Sequence, residues 1–386
     1  MLQIIFRSLF LFLFFFVMNS EIFSSQKSIG SLRIQLFSGY PSQIIKNIDV
    51  SGDEFKLIVF KLDGVDTMSC SSLYVTPSDA LNFKANGSWG NADSIVVISQ
   101  SVITVNTSNG ISRRISGSLI FSSNEGQLLT IALLSVESYL IGVVDSELGR
   151  LDHPELWKAQ AILARTWIIV NYNKFSKDGF SFGVTDDVRS QAFHGWPADP
   201  DRLKRLKDAV TSTSNMFVSD IEGNPIEALF HANSGGQTMP CGWYFNPRPA
   251  LVSVIDTFSL KCPQTYWEKR IKKESWMRFM SKAFDESVED TSFKKFAFSF
   301  KQPVRIEFME YKGKLKRLRV FRQFFSLRST WFSVEYEKGD FIVLKGRGYG
   351  HGIGMSQEGG LRMANYGSNA LEILNFYYPK SRVVKF

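Results

Sequence analysis

A chain of 386 residues, 44% hydrophobic and 21% charged, is long enough for two or three packed units, and its apolar content excludes a disordered protein. Its net charge of +8 is uneven: residues 261–319 hold sixteen Lys/Arg against eight Asp/Glu, and the remainder balances. Three cysteines without CxxC, HExxH or any paired Cys/His spacing give no support to a zinc site, so neither metal nor cofactor is expected.

Residues 1–25 carry one Arg and an apolar run from Leu9 to Met18, too short for a membrane span of about 20 residues. They read as a signal peptide or signal anchor, which places the body outside the cytoplasmic membrane. Residues 26–127 alternate Val/Ile/Leu/Phe runs (Leu32–Phe37, Phe55–Leu62, Ser94–Val105, Ile111–Phe121) with Gly/Ser/Asn/Asp turns, predicting a β-rich N-terminal domain.

Residues 128–386 read as a mixed helical and β-rich region, so the fold class is α+β. The stretch from Gly142 to Thr166 places Glu147 just before Gly149 and predicts it on a loop, with a helix starting at Pro154, where proline is best tolerated. Leu156, Gln160, Leu163 and Trp167 recur along that helix at core spacing. Arg165 within its apolar run calls for an anion or carbonyl partner, or reaches solvent along its stem.

Polar groups Asp186, Asp187, Gln191 and His194 cluster in a loop-rich stretch, a helix is expected over Arg202–Ser214, and Met216–His231 reads as a hairpin delivering His231 and Ser234. Cys241 and Cys262 bracket a Pro/Gly/aromatic segment, and a disulfide there would contribute about 3 kcal/mol. Helical character is expected over Gln264–Phe300, strands over Val304–Arg322 and Trp331–Leu344, and a helix over Asn369–Tyr378. The glycines at alternate positions from Gly346 to Gly354 fit neither helix nor ordinary strand. They imply tight backbone packing that presents His351 and Gln357, with Ser356 capping a helix.

The basic segment 261–319 is either a solvated face or a contact for anionic membrane or wall polymer. For an exported chain these come before nucleic acid, which is not expected as a partner.

Three blocks together resemble the sporulation stage II protein D and amidase-enhancer family of peptidoglycan-cleaving proteins: Tyr139–Glu147 with Lys158–Thr166, His231–Thr238, and Gly348–Gln357 with Tyr377-Tyr378-Pro379. A weaker match lies at Ser190–Phe193. The resemblance covers most of the chain after about Leu128, in one order. It implies a lytic transglycosylase acting on glycan strands, with stem peptides removed and Glu147 as the sole acid/base. Gln191, Ser234, His351 and Gln357 would line the cleft, and Arg165 and His231 would bind or support it. Some relatives hold a metal just before the position of Gln191. Asp186, Asp187, Arg189 and Ser190 stand there instead, so no metal is carried over. Two alternatives stay open: a non-catalytic scaffold that stimulates a peptidoglycan amidase, and a hydrolase pairing Glu147 with Asp145 or Asp187.

Overall fold

The computed structural model describes residues 30–41 and 45–386; the N-terminal apolar run lies outside them. No helix among the described residues is long and apolar enough to cross a membrane. Residues Ser31–Phe386 form one compact unit with mixed helices and sheets, as α+β requires.

Ten strands come first among the described residues: β1 Leu32–Gln35, β2 Ile48–Lys61, β3 Gly64–Pro77, β4 Leu81–Ala85, β5 Ser88–Ala92, β6 Ser94–Ile98, β7 Val102–Thr107, β8 Ser112–Ser116, β9 Ser118–Asn124 and β10 Gln127–Leu134. Burial alternates residue by residue along β7, the period-two pattern of a sheet with one face in a core. The two halves of β2 pair with different strands, Lys56–Phe60 with β6 and Ile48–Ser51 with β7. The change falls at an irregularity between Ser51 and Phe55 that bends the strand. Beyond β1 the sheet takes up β11 (Val184–Thr185) in parallel, Ile34 opposite Val184. That short pairing fixes the start of the Asp186–Trp196 loop to the sheet.

From β10 the chain enters α1 (Val136–Leu148), capped by the Ser135 hydroxyl, which accepts from the Ser138 N–H. Glu147 therefore sits in the last turn of a helix and not on a loop. Tyr139 to Val144 are all buried, so α1 lacks the polar face that marks a surface helix in sequence. Helix α2 (Pro154–Asn171) starts at Pro154 as expected, and α3 runs Pro200–Ser212. Leu156, Trp157, Ile162, Leu163 and Ile168 of α2 are all buried, each contributing roughly 1.5–3 kcal/mol of apolar burial before entropy is counted.

The expected hairpin over Met216–His231 is replaced by non-local pairing. Strand β12 (Met216–Ser219) pairs with the C-terminal β20 (Arg382–Lys385), and β13 (Phe230–His231) pairs in parallel with β19 (Met355–Ser356). Of the local hairpin the tip forms: Ser219 bridges Pro225, the Asp220 N–H donates to the Asn224 carbonyl at 2.9 Å and the Ile226 N–H to the Val218 carbonyl at 3.1 Å. Gln264–Phe300 begins with a strand, β14 (Tyr266–Lys272), because Trp267 and Ile271, four apart, satisfy both the helical and the extended period. Helices α4 (Lys273–Phe284) and α5 (Thr291–Ser299) follow. The strand expected to Arg322 stops after the hairpin β15 (Phe308–Tyr311) and β16 (Lys314–Arg317), and α6 (Leu318–Phe324) buries Leu318 and Phe321. With β17 (Trp331–Lys338) and β18 (Phe341–Arg347), these elements surround an aromatic core of Trp276, Phe284, Phe293, Phe321 and Phe332. The chain closes with α7 (Gln357–Asn365), capped by Ser356, and α8 (Ala370–Tyr377), whose Asn369 and Glu372 form a capping box.

All three cysteines are free. The Cys241 thiol is turned to the Asn246 carbonyl (3.2 Å) and Cys262 to the Phe258 carbonyl (3.4 Å), so the expected bridge does not form.

Candidate active site

Helix α1 ends at Gly149, whose φ of 54° a β-carbon would disfavour. Glu147 is half-buried there, and its Oε1 accepts the Ala192 N–H at 2.7 Å. Burial pushes its carboxyl above the usual carboxylate range, against the opposing pull of that N–H. The Asp186–Trp196 loop is laid along α1. The His194 N–H reaches the Ser146 hydroxyl at 2.8 Å, the Trp196 indole N–H reaches the Ser138 carbonyl at 2.9 Å, and the Phe193 ring stacks on Tyr139 at 5.3 Å. Gly142 makes room for this: a β-carbon there would overlap the Phe193 ring.

The third sequence block arrives from far away. Gln357, at the first position of α7, donates from Nε2 to the backbone carbonyl of Glu147 at 3.3 Å, joining residues 210 apart. Gln191, next to Ala192, is buried with neither amide atom bonded to any described group. Tyr139 is a residue sequence reasoning overlooked. Its hydroxyl is buried and unpartnered among the described residues, and its phenol is pushed well up by burial first, then by the charges of Glu147 and Asp186. The signal was its position eight residues before Glu147, two turns back on one side of a helix.

Other expected residues lie elsewhere. Arg165 grips Glu137 with two hydrogen bonds (3.0 and 2.8 Å) and also donates to the carbonyls of Met216 and Val210. Glu137 is ten residues before Glu147, about 15 Å along the helix, so Arg165 ties down the far end of α1. Ser234 is buried; its hydroxyl donates to Asp256 (2.7 Å) and lies 2.8 Å from the Ser259 hydroxyl, a network that also takes in Ser356. His231 and His351 form a second cluster, with ring centroids 5.6 Å apart. The His351 Nδ1 accepts the Ile353 N–H, and its ring also meets the Phe230 carbonyl; His231 Nδ1 faces the Ile353 carbonyl. Burial holds both imidazoles below the usual histidine range, His351 at about 4.

Neighbouring carboxylates are committed. Asp145 is held by Arg202 at 2.6 Å. Asp186 accepts the backbone N–H groups of Phe37 (2.7 Å) and Ser38 (2.9 Å) and meets Arg113 at 3.7 Å. Asp187 is paired with Arg189 at 2.9 Å. Glu358, in the first turn of α7, is buried and accepts from Asn233 at 2.7 Å. The described residues contain no group of three or more His/Cys/Asp/Glu able to hold a metal ion.

Fold and site together define a single half-buried carboxylate at a helix end, held by a loop on one side and by a C-terminal helix on the other. Residues 124–219, which contain α1, α2 and the loop on Glu147, match the SpoIID family, described as Stage II sporulation protein. The chain is 28% identical over 262 residues to Stage II sporulation protein D of Bacillus subtilis (strain 168), covering 65% of this chain and 74% of that one. It is 29% identical over 259 residues to the protein of the same name from Bacillus amyloliquefaciens, covering 64% and 73%. A protein named Amidase enhancer, from Bacillus subtilis (strain 168), is 24% identical over 298 residues, covering 64% and 40%. Residues 124–219 thus carry the SpoIID match, and the longer alignments make the chain similar to proteins named Stage II sporulation protein D and Amidase enhancer.

Proposed function

We propose that this chain remodels peptidoglycan as a lytic transglycosylase, with Glu147 as the only acid/base. The observation that carries this reading is one carboxyl at the α1 exit with its pKa raised by burial, while Asp145, Asp186 and Asp187 are bound to arginines or backbone and the likewise raised Glu358 is taken up by Asn233 and the Gln264 N–H. A hydrolase of the usual kind needs a second free carboxylate. Asp145, two residues from Glu147, points to another side of α1. With one group, protonated Glu147 gives its proton to the glycosidic oxygen as the C1–O bond breaks. The C6 hydroxyl of the same muramic acid closes onto C1, and its proton returns to Glu147. The product is a 1,6-anhydro end and no water is consumed. A partly protonated carboxyl suits both halves of this cycle.

The substrate is proposed to be glycan strands freed of stem peptides, met outside the cytoplasmic membrane by an exported chain, with the basic segment 261–319 against anionic membrane or wall polymer. Mass spectrometry of strands incubated with the protein tests the reaction: anhydro ends are expected, and new reducing ends would mean hydrolysis instead. The relative named Amidase enhancer favours a second reading, a glycan-bound scaffold that stimulates an amidase. Intact strands together with faster amidase turnover would decide for it.

A further inference from the structure

Beside the second histidine cluster lies a cavity of about 390 Å³ that the reaction above does not use. Its wall carries Arg248, Arg317 and Arg319 with Glu227, and its aromatic side is Tyr244 and Phe245. Tyr244 is held rigidly: Arg319 donates to its carbonyl, Arg322 donates to its hydroxyl at 2.6 Å, and both guanidinium groups lie over its ring at 5.2 and 5.7 Å. The charges leave a surplus. Arg248 meets Glu227 at 3.1 Å and Arg317 meets Glu307 at 3.2 Å, while Arg319 and Arg322 are both held on Tyr244, so guanidinium groups outnumber carboxylates and the wall is net positive. Arg248 and Arg317 are about half exposed, and such ion pairs hold weakly enough for an incoming anion to exchange with them.

We propose that this cavity is a subsite for a sugar bearing one carboxylate, namely the lactyl carboxylate of a muramic acid residue from which the peptide has been removed. The proposal rests on the peptidoglycan reading above. A net positive wall suits an anionic sugar. Arginine forks suit a planar carboxylate, and the Tyr244 and Phe245 rings offer an apolar wall to a sugar face. The same block of sequence touches both the cavity and the site. The His351 ring packs on Phe245 at 5.7 Å and Tyr244 at 6.4 Å, and six residues further Gln357 reaches Glu147. Six residues span at most about 20 Å, which bounds the backbone separation of the two places.

Calorimetry on the E147Q chain, which binds without cleaving, tests this with three probes. They are a peptide-free tetrasaccharide of alternating N-acetylglucosamine and N-acetylmuramic acid, the same tetrasaccharide with its lactyl carboxylates amidated, and chitotetraose. Expected is at least tenfold tighter binding of the first than of the other two, and loss of that preference in an R248Q/R317Q variant of the same chain. Equal binding of the three probes, or a preference untouched by the double substitution, overturns the proposal, as does displacement of the tetrasaccharide by inorganic phosphate at lower concentration than by free muramic acid. If R248Q/R317Q does not fold, the comparison of free with amidated tetrasaccharide decides alone. The two readings fail separately: wild-type protein releasing no anhydro ends while the preference stands removes the reaction and keeps the subsite.

Discussion

Replacing Glu147 by Gln keeps the shape and the acceptor for the Ala192 N–H, and removes the proton on which the proposed chemistry depends. Cleavage should fall at least a thousandfold, read as anhydro ends released, with glycan binding retained; substantial residual cleavage would defeat the single-acid mechanism. Gln357→Ala removes the bond to the Glu147 carbonyl and should lower cleavage roughly tenfold, as expected for one orienting hydrogen bond worth about 1–1.5 kcal/mol. Ser234→Ala should behave differently. Its hydroxyl is spent on Asp256 and Ser259, so the cost, about 1–3 kcal/mol, belongs in chemical denaturation and not in the kcat of the folded fraction.

Among the elements, α1 shows where local pattern and tertiary packing part. Alanine normally improves a helix interior over glycine by about 1 kcal/mol, yet Gly142→Ala would drive a β-carbon into the Phe193 ring. The loop that supplies the Ala192 N–H would have to shift, so this variant should lose cleavage as well as melt earlier; a more stable, fully active Gly142→Ala protein would show that the loop is not held against α1 as described. Gly354 makes the same point in the third block, with φ of 68° and no space for a β-carbon against the Leu229 carbonyl. The need for glycines there was legible in sequence because alternate glycines suit no regular element. So were Pro154 at a helix start and Ser356 as a cap, both local chemistry. What sequence hid was non-local. The exit of α1 was taken for a loop because its middle, Tyr139–Val144, is buried on every side and shows no amphipathic period. The partners of β12 and β13 lie over 100 residues away. Gln357 could be grouped with Glu147 by resemblance; Arg165, for which an anion or carbonyl partner was expected, finds Glu137 and two carbonyls at the far end of α1, and the Ser234 hydroxyl is taken up in a buried network.

For the molecule as a whole, titration separates the two clusters. His351 is held at about 4 instead of the ordinary 6.5, and His231 is also lowered, in both cases chiefly by burial. Between those values the unfolded chain takes up protons that the folded chain refuses. Stability from these rings is therefore full above pH 6.5 and is lost as pH falls toward 4. Glu147 and Glu358 carry the opposite sign, since burial raises both, and their contribution is present at low pH and lost as pH rises through their folded values. E147Q abolishes one of these terms. Its melting temperature relative to wild type should thus be higher at pH 7.5 than at pH 4, whereas H351Q should flatten the fall of wild-type stability between pH 6.5 and 4. Cleavage should decline as pH rises through the Glu147 value, with no limb from the His231–His351 cluster between pH 5 and 8, because burial lowers both imidazoles, His351 to about 4. A limb in that range that disappears in H351Q while the fold persists would place His351 in the chemistry and not behind it.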